Sequence, residues 1–169
     1  MKAGDKTTRH NFKSNSYKSI FCSTGCIYTL EATIKAQPVD MTFEENEYTG
    51  VFGDLKGAIM DAISYVDTNI TFIGEKFSFV QKGALEFTGY QSTVNVVFEY
   101  CVFLSSFGDI DSALVHFEGV TNLTMQHTSF KNRMIDDKFE KFDLIAYSLN
   151  STLFDVKQDP TLLPLRVVF

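Results

Sequence analysis

The chain has 169 residues, is 44% hydrophobic and carries 17 Phe with no Trp, which is enough apolar material for one sizeable core in a single domain. Its net charge of −6 argues against a nucleic-acid phosphate partner, because proteins that bind one present a basic surface. No continuous apolar run approaches the ~20 residues that a membrane-crossing helix needs, so no transmembrane segment is expected.

Residues 1–24 read as a basic N-terminal arm or an incomplete first coil. Within residues 1–18, Lys2, Lys6, Arg9, Lys13 and Lys18 stand against Asp5 alone, a net of +4 that leaves −10 for the other 151 residues. Such an arm either joins neighbouring copies of an acidic body or is a solvated end. The first six residues lack the apolar core of a signal peptide, which leaves two readings open: an intracellular protein, or a processed or partial copy of a secreted one. Cys22 and Cys26 can pair as a disulfide, leaving Cys101 over. A Cys-x3-Cys phrase without nearby His is a poor zinc signal. Cys101, between Phe98 and Phe103, reads as a buried thiol acting as a small hydrophobe.

From residue 25 to 132 the chain repeats. Asp40-Met41-Thr42-Phe43 returns as Asn69-Ile70-Thr71-Phe72, Asn95-Val96-Val97-Phe98 and Asn122-Leu123-Thr124-Met125, and more loosely as Asn150-Ser151-Thr152-Leu153. The Asx positions are 29, 26, 27 and 28 residues apart, and eight residues after the first four stands an aromatic, Tyr48, Phe77, Phe103 or Phe130. A period of 20–50 residues means a stacked, quasi-one-dimensional architecture. Inside each phrase the apolar residues alternate with Thr or Val, the period of a strand with one face buried. A second β-rich stretch follows in Ala84-Leu85-Glu86-Phe87 and Ala113-Leu114-Val115-His116-Phe117. The expected fold is therefore all-β, a single right-handed parallel β-helix of about four to five coils with irregular ends. Stacking at ~4.8 Å would set Tyr48, Phe77, Phe103 and Phe130 in one internal aromatic column. The same stacking would align Asp40, Asn69, Asn95, Asn122 and Asn150 in a ladder at one corner, since Asx residues favour sharp left-handed turns.

Residues 133–169 read as a charged insertion at 133–143, a degenerate last coil and a C-terminal cap. Ser151 stands where an inward aliphatic belongs, and Pro160 and Pro164 follow. Terminal repeats are often atypical because they cap the stack.

The phrases Gly57-Ala58-Ile59-Met60 and Gly83-Ala84-Leu85-Glu86, with Phe12-Lys13-Ser14-Asn15 and Phe130-Lys131-Asn132, resemble the repeats of pectin-lyase-like β-helix proteins. They are most similar to the Gly-Gly-Ala-Ile and Phe-x-x-Asn repeats of chlamydial polymorphic membrane proteins and related protist surface proteins. Lys56 and Lys82 replace the first Gly of the pair. The resemblance implies an extracellular or cell-surface location, and adhesive or structural roles more than catalysis.

Chemistry-bearing candidates are few. Asn69, Asn122 and Asn150 lie in N-glycosylation sequons, although Asx-x-Thr is itself the repeat phrase. Asp109 and Asp111, and later Asp136 and Asp137, are the carboxylates that a carbohydrate-cleaving site would use, but no acid pair recurs at the repeat interval. His116 and His127 lack a third metal ligand. No catalytic residue, metal ligand or cofactor site is assigned. The expected function is a non-enzymatic structural or adhesive module, a subunit or fragment of a larger assembly reached through the ends of the column. The alternatives are a carbohydrate-binding or carbohydrate-cleaving β-helix, or an intracellular scaffold subunit.

Overall fold

The structure, a computed structural model, describes residues 7–80, 83–90, 92–106, 114–119, 122–131, 154–157 and 166–168. Among them there is no helix. The first turn of the column is β1 (Thr8–Lys13), β2 (Ser16–Thr24) and β3 (Tyr28–Ala32), and the second is β4 (Val39–Glu44), β5 (Glu47–Lys56) and β6 (Met60–Ser64). The third is β7 (Thr68–Ile73), β8 (Lys76–Ser78) and β9 (Leu85–Gly89), and the fourth is β10 (Val94–Glu99), β11 (Val102–Leu104) and β12 (Val115–Glu118). The strands β13 (Asn122–Gln126), β14 (Ser129–Lys131), β15 (Phe154–Lys157) and β16 (Arg166–Val168) carry the stacking further. Each strand pairs in parallel with its equivalent one turn away, giving three sheets in the orders β1-β4-β7-β10-β13-β16, β2-β5-β8-β11-β14 and β3-β6-β9-β12-β15. This is a parallel β-solenoid. Because β1 and β2 are in-register members of the stack, it begins within the first 24 residues and not at residue 25.

The repeat phrase is the strand of the first sheet. Asp40 pairs with Asn69, Asn69 with Asn95 and Asn95 with Asn122, and Phe43, Phe72, Phe98 and Met125 follow in the same register. Burial alternates along β4 and β10 at every residue, which keeps register strict: a slip of one would turn each buried side chain to solvent. Like therefore stacks on like inside. Tyr48 lies 5.0 Å from Phe77, and Phe77 4.4 Å from Phe103, with rings within 10° of parallel. Tyr17 extends this column below Tyr48 at 5.4 Å, and Phe103 pairs in backbone register with Phe130, whose side chain lies outside the described residues. A second column, Phe12, Phe43, Phe72 and Phe98, has spacings of 4.8–4.9 Å, and Phe87 and Phe117 form a third pair at 5.4 Å.

Turning a strand three times per coil needs left-handed backbone, and it recurs at fixed positions. Ser14, Glu45, Gly74, Tyr100 and His127 all have positive φ at the bend between the first and second sheets. Ser19, Gly50, Phe79 and Ser105 do so on the second sheet side. Just before the third sheet the position belongs to Gly25, Gly57 and Gly83. A Cβ on Gly57 would stand 2.6 Å from the Met60 carbonyl oxygen, so the Gly of the Gly-Ala-Ile phrase is required both by φ and by close approach.

Truncating Phe103 to Ala removes one plate from the Tyr48–Phe77 column and is expected to cost ~3–5 kcal/mol in urea unfolding. A loss below ~1 kcal/mol would show that ring stacking does not hold these turns together.

Candidate functional site

Each left-handed residue of the first bend throws the next residue into the column. Those inward residues are Asn15, Asn46, Glu75, Cys101 and Thr128, one per turn, each three positions after Phe12, Phe43, Phe72, Phe98 and Met125. They form a polar row along the first bend, in which Asn46, Glu75 and Cys101 are buried, Thr128 is half-buried and Asn15 is exposed. Asn15 donates its backbone N–H and Nδ2 to Asn46 Oδ1 at 2.9 and 3.0 Å. Asn46, fully buried, repeats the gesture toward Glu75 Oε1 at 2.9 and 3.0 Å and also gives Nδ2 to the Phe12 carbonyl at 3.0 Å. Two turns on, Cys101 Sγ–H donates to the Phe72 carbonyl at 3.4 Å and Thr128 Oγ1–H to the Phe98 carbonyl at 3.3 Å. Asn46, Cys101 and Thr128 thus each cap the carbonyl of the Phe one turn below.

Glu75 is the acid in this row, and it is 0% exposed. Its Oε2 makes no hydrogen bond, and neither does the hydroxyl of Tyr48, which is equally enclosed. The two still act on each other: the hydroxyl favours the carboxylate, and the carboxylate disfavours the phenolate. Burial is the dominant influence and pushes the Glu75 carboxyl up to about 7, against the pull of the Asn46 donors and the nearby Tyr48 hydroxyl. Burial likewise pushes the Cys101 thiol up to about 12 and the Tyr48 phenol far above its ordinary value. Tyr28, raised by burial and by its 2.8 Å hydroxyl contact with Tyr17, completes a line of polar groups from the first turn to Glu75.

The Asx ladder is present but is not at a corner. Asp40, Asn69, Asn95 and Asn122 lie within strands of the first sheet, with side chains on the outer face and without positive φ. Asn122 Nδ2 donates to Asn95 Oδ1 at 2.6 Å, Asn95 to Asn69 at 2.7 Å, and Asn69 to Asp40 at 2.8 Å. Asp40, which can only accept, closes the chain of amides and meets Arg9 at 3.4 Å. The alternation explains the misplacement: a residue one before the inward aliphatic and three before the inward Phe must face out of a strand, whereas the bend follows the Phe. The signal for the bend was in Phe43-Glu44-Glu45-Asn46, which shares the spacing of Phe12-Lys13-Ser14-Asn15. Glu75 and Cys101 escaped because the row varies in residue type while keeping its place.

Other candidates separate. Cys22 and Cys26 are joined by a disulfide with Cα atoms 6.3 Å apart, and Cys101 is a buried free thiol. His116, on β12 of the third sheet, has Nε2 3.7 Å from Glu118, while His127 stacks on Tyr100 at the first bend, so the two histidines occupy different sides of the column. Among the described residues no group of three or more His, Cys, Asp or Glu is arranged to hold a metal ion. Asp109, Asp111, Asp136, Asp137 and Asn150 lie outside the described residues.

The N-terminal end of the column is the remaining feature. β1, β2 and β3 are each the outermost strand of a sheet. Phe12, Tyr17 and Ile20 are only partly buried there, whereas Phe43, Tyr48 and Val51, which pair with them one turn in, are fully enclosed.

The inner and outer ladders differ in what their loss exposes. Asn46→Ala takes the Nδ2 donor from buried Glu75 Oε1 and from the Phe12 carbonyl and is expected to cost ~2–3 kcal/mol in urea unfolding, whereas Asn95→Ala on the solvated face is expected to cost ~1 kcal/mol or less. Equal costs would mean that the inner row does not govern stacking.

The chain matches no protein-family model, and no curated protein or solved structure is significantly similar to it, so its chemistry has to be read from its own residues.

Proposed function

We propose that this chain is a non-enzymatic structural module that joins a larger assembly by adding a β-strand partner to the open edge of its first turn. The observation that carries this reading is the end formed by β1, β2 and β3, three outermost parallel strands around the half-covered Phe12, Tyr17 and Ile20. Backbone groups on such an edge pair with whatever strand is brought to them, and the apolar cross-section rewards a further turn laid over it. A matching turn supplied by a second copy or by another β-solenoid segment fits both features.

Outward carboxylates support a structural role over acid–base chemistry. Asp40 is held by Arg9 and Asn69, Glu44 by Lys13 at 2.6 Å and Glu47 by Lys76 at 3.4 Å. Arg9 and Lys13 therefore bind their own second turn, which leaves them poorly placed to steer a neighbour. The hydrogen bond to Glu44 raises the Lys13 ammonium above its usual range. The exposed pair Tyr65 and Tyr90 stack on each other at 4.8 Å, which covers one face of each ring. The pectin-lyase-like resemblance, the likeness to surface-protein repeats and the Cys22–Cys26 disulfide together suit an extracellular or cell-surface setting. The sequons at Asn69 and Asn122 are accounted for by the amide ladder they build.

The backbone offers a specific test. Thr8 and Ser14 donate their N–H groups to the second turn, so by strict alternation the N–H groups of Arg9, Asn11 and Lys13 face the open side. Asn11→Pro then blocks the edge without removing a bond inside the column. Sedimentation velocity at micromolar concentration should show self-association of the parent and its loss in Asn11→Pro, with little dependence on salt. Identical monomers for both at every concentration would defeat the edge-docking reading.

A further inference from the structure

Glu75 stands in a row of which three other members, Asn46, Cys101 and Thr128, act as donors to the turn below. Asn46 caps the Phe12 carbonyl, Cys101 the Phe72 carbonyl and Thr128 the Phe98 carbonyl. By position, the carbonyl that falls to Glu75 is that of Phe43, and an ionised carboxylate has no proton to give. The side chain is 0% exposed, one of its oxygens is without a hydrogen bond, and the enclosed Tyr48 hydroxyl is in the same condition.

We infer that Glu75 makes the column acid-strengthened: its protonation completes the donor row and locks the first two turns onto the third, and its ionisation loosens them. The groups that face it from neighbouring elements are Asn46 at the bend before β5, Tyr48 on β5, Tyr28 on β3 and Cys101 at the bend before β11. The three titratable ones are neutral at pH 7, and no cation acts on the carboxyl. Ionisation therefore places a charge in the core that the two Asn46 donors and the neighbouring Tyr48 hydroxyl relieve but that no cation among the described residues offsets. Turns of a solenoid touch only their neighbours, so the remedy is local: the turns around Glu75 part and let water in.

The sign follows from linkage. Glu75 titrates near its ordinary 4.5 when unfolded and near about 7 when folded. Between these values the folded chain holds a proton that the opened chain has released, so stability falls as pH rises from about 4.5 through about 7 and then levels off. This is opposite to a carboxylate stabilised by an ion pair. Between pH 5 and 8 the opening equilibrium should shift by roughly 70-fold.

Native-state hydrogen exchange of the full chain, corrected for intrinsic rates, tests this directly. Protection of amides in β4, β5, β7 and β8 should fall by roughly 70-fold from pH 5 to pH 8 in the parent and by less than ~3-fold in Glu75→Gln, whose amide can both accept and donate. Equal pH dependence in both proteins would overturn the inference. If Glu75→Gln does not fold, carboxyl-carbon NMR of the parent decides: an inflection for Glu75 between pH 6 and 8 upholds the device, and one below pH 5 removes it.

Discussion

Every feature of this molecule depends on in-register parallel pairing between successive turns. A strand spacing of ~4.8 Å is also a comfortable distance for stacked aromatic rings, so the same register that satisfies the backbone brings Tyr48 over Phe77 and Phe43 over Phe72. The constraint runs both ways. Rings of equal size at equivalent places hold the register, and the register forbids a large change at one turn without a matching change above or below. This coupling is why the repeat is visible at all: selection for stacking acts on position within the turn.

The bends set the second constraint. A left-handed residue followed by an inward polar one recurs at the first bend from Ser14–Asn15 to His127–Thr128. At this bend the inward side chain reaches a carbonyl of the turn below. Donor chemistry is what the place requires, and Asn, Cys and Thr all meet it. Glu meets it only when protonated. A site that tolerates several residue types for structure thereby acquires sensitivity to pH when one of them is an acid in the core.

The same repetition that stabilises the interior creates the edge on which the proposed function rests. Among the described residues the first turn stands outermost in all three sheets, with Phe12, Tyr17 and Ile20 only partly covered. The charges do not favour steering at this end, because Arg9 and Lys13 are engaged with Asp40 and Glu44 of the turn behind them. Backbone pairing and apolar cover are left as the forces of association. Acid strengthening and edge docking are separable: one concerns the turns around Glu75, the other the outward groups of β1.

By itself the sequence determined the repeat, the strand phrase and the aromatic column, because period-two burial and a constant interval are properties of residue order. It also held the outer Asx ladder, since identical residues at identical places in parallel strands must meet. Its bend assignment failed for a physical reason. Asx preference for turns is a local statistic, while the actual bend is chosen by where the inward face must rotate, two residues after Phe43 and Phe72. Nothing in Glu75 or Cys101 as letters marks them as equivalent to Asn46. Only the tertiary structure decides that these side chains enter the column at one height of each turn. It also decides that Tyr48 stands beside Glu75 without a hydrogen bond between them, and that the basic residues of the first turn meet acids 31 residues away in the second. Those facts belong to the space between turns, and a linear chain does not display it.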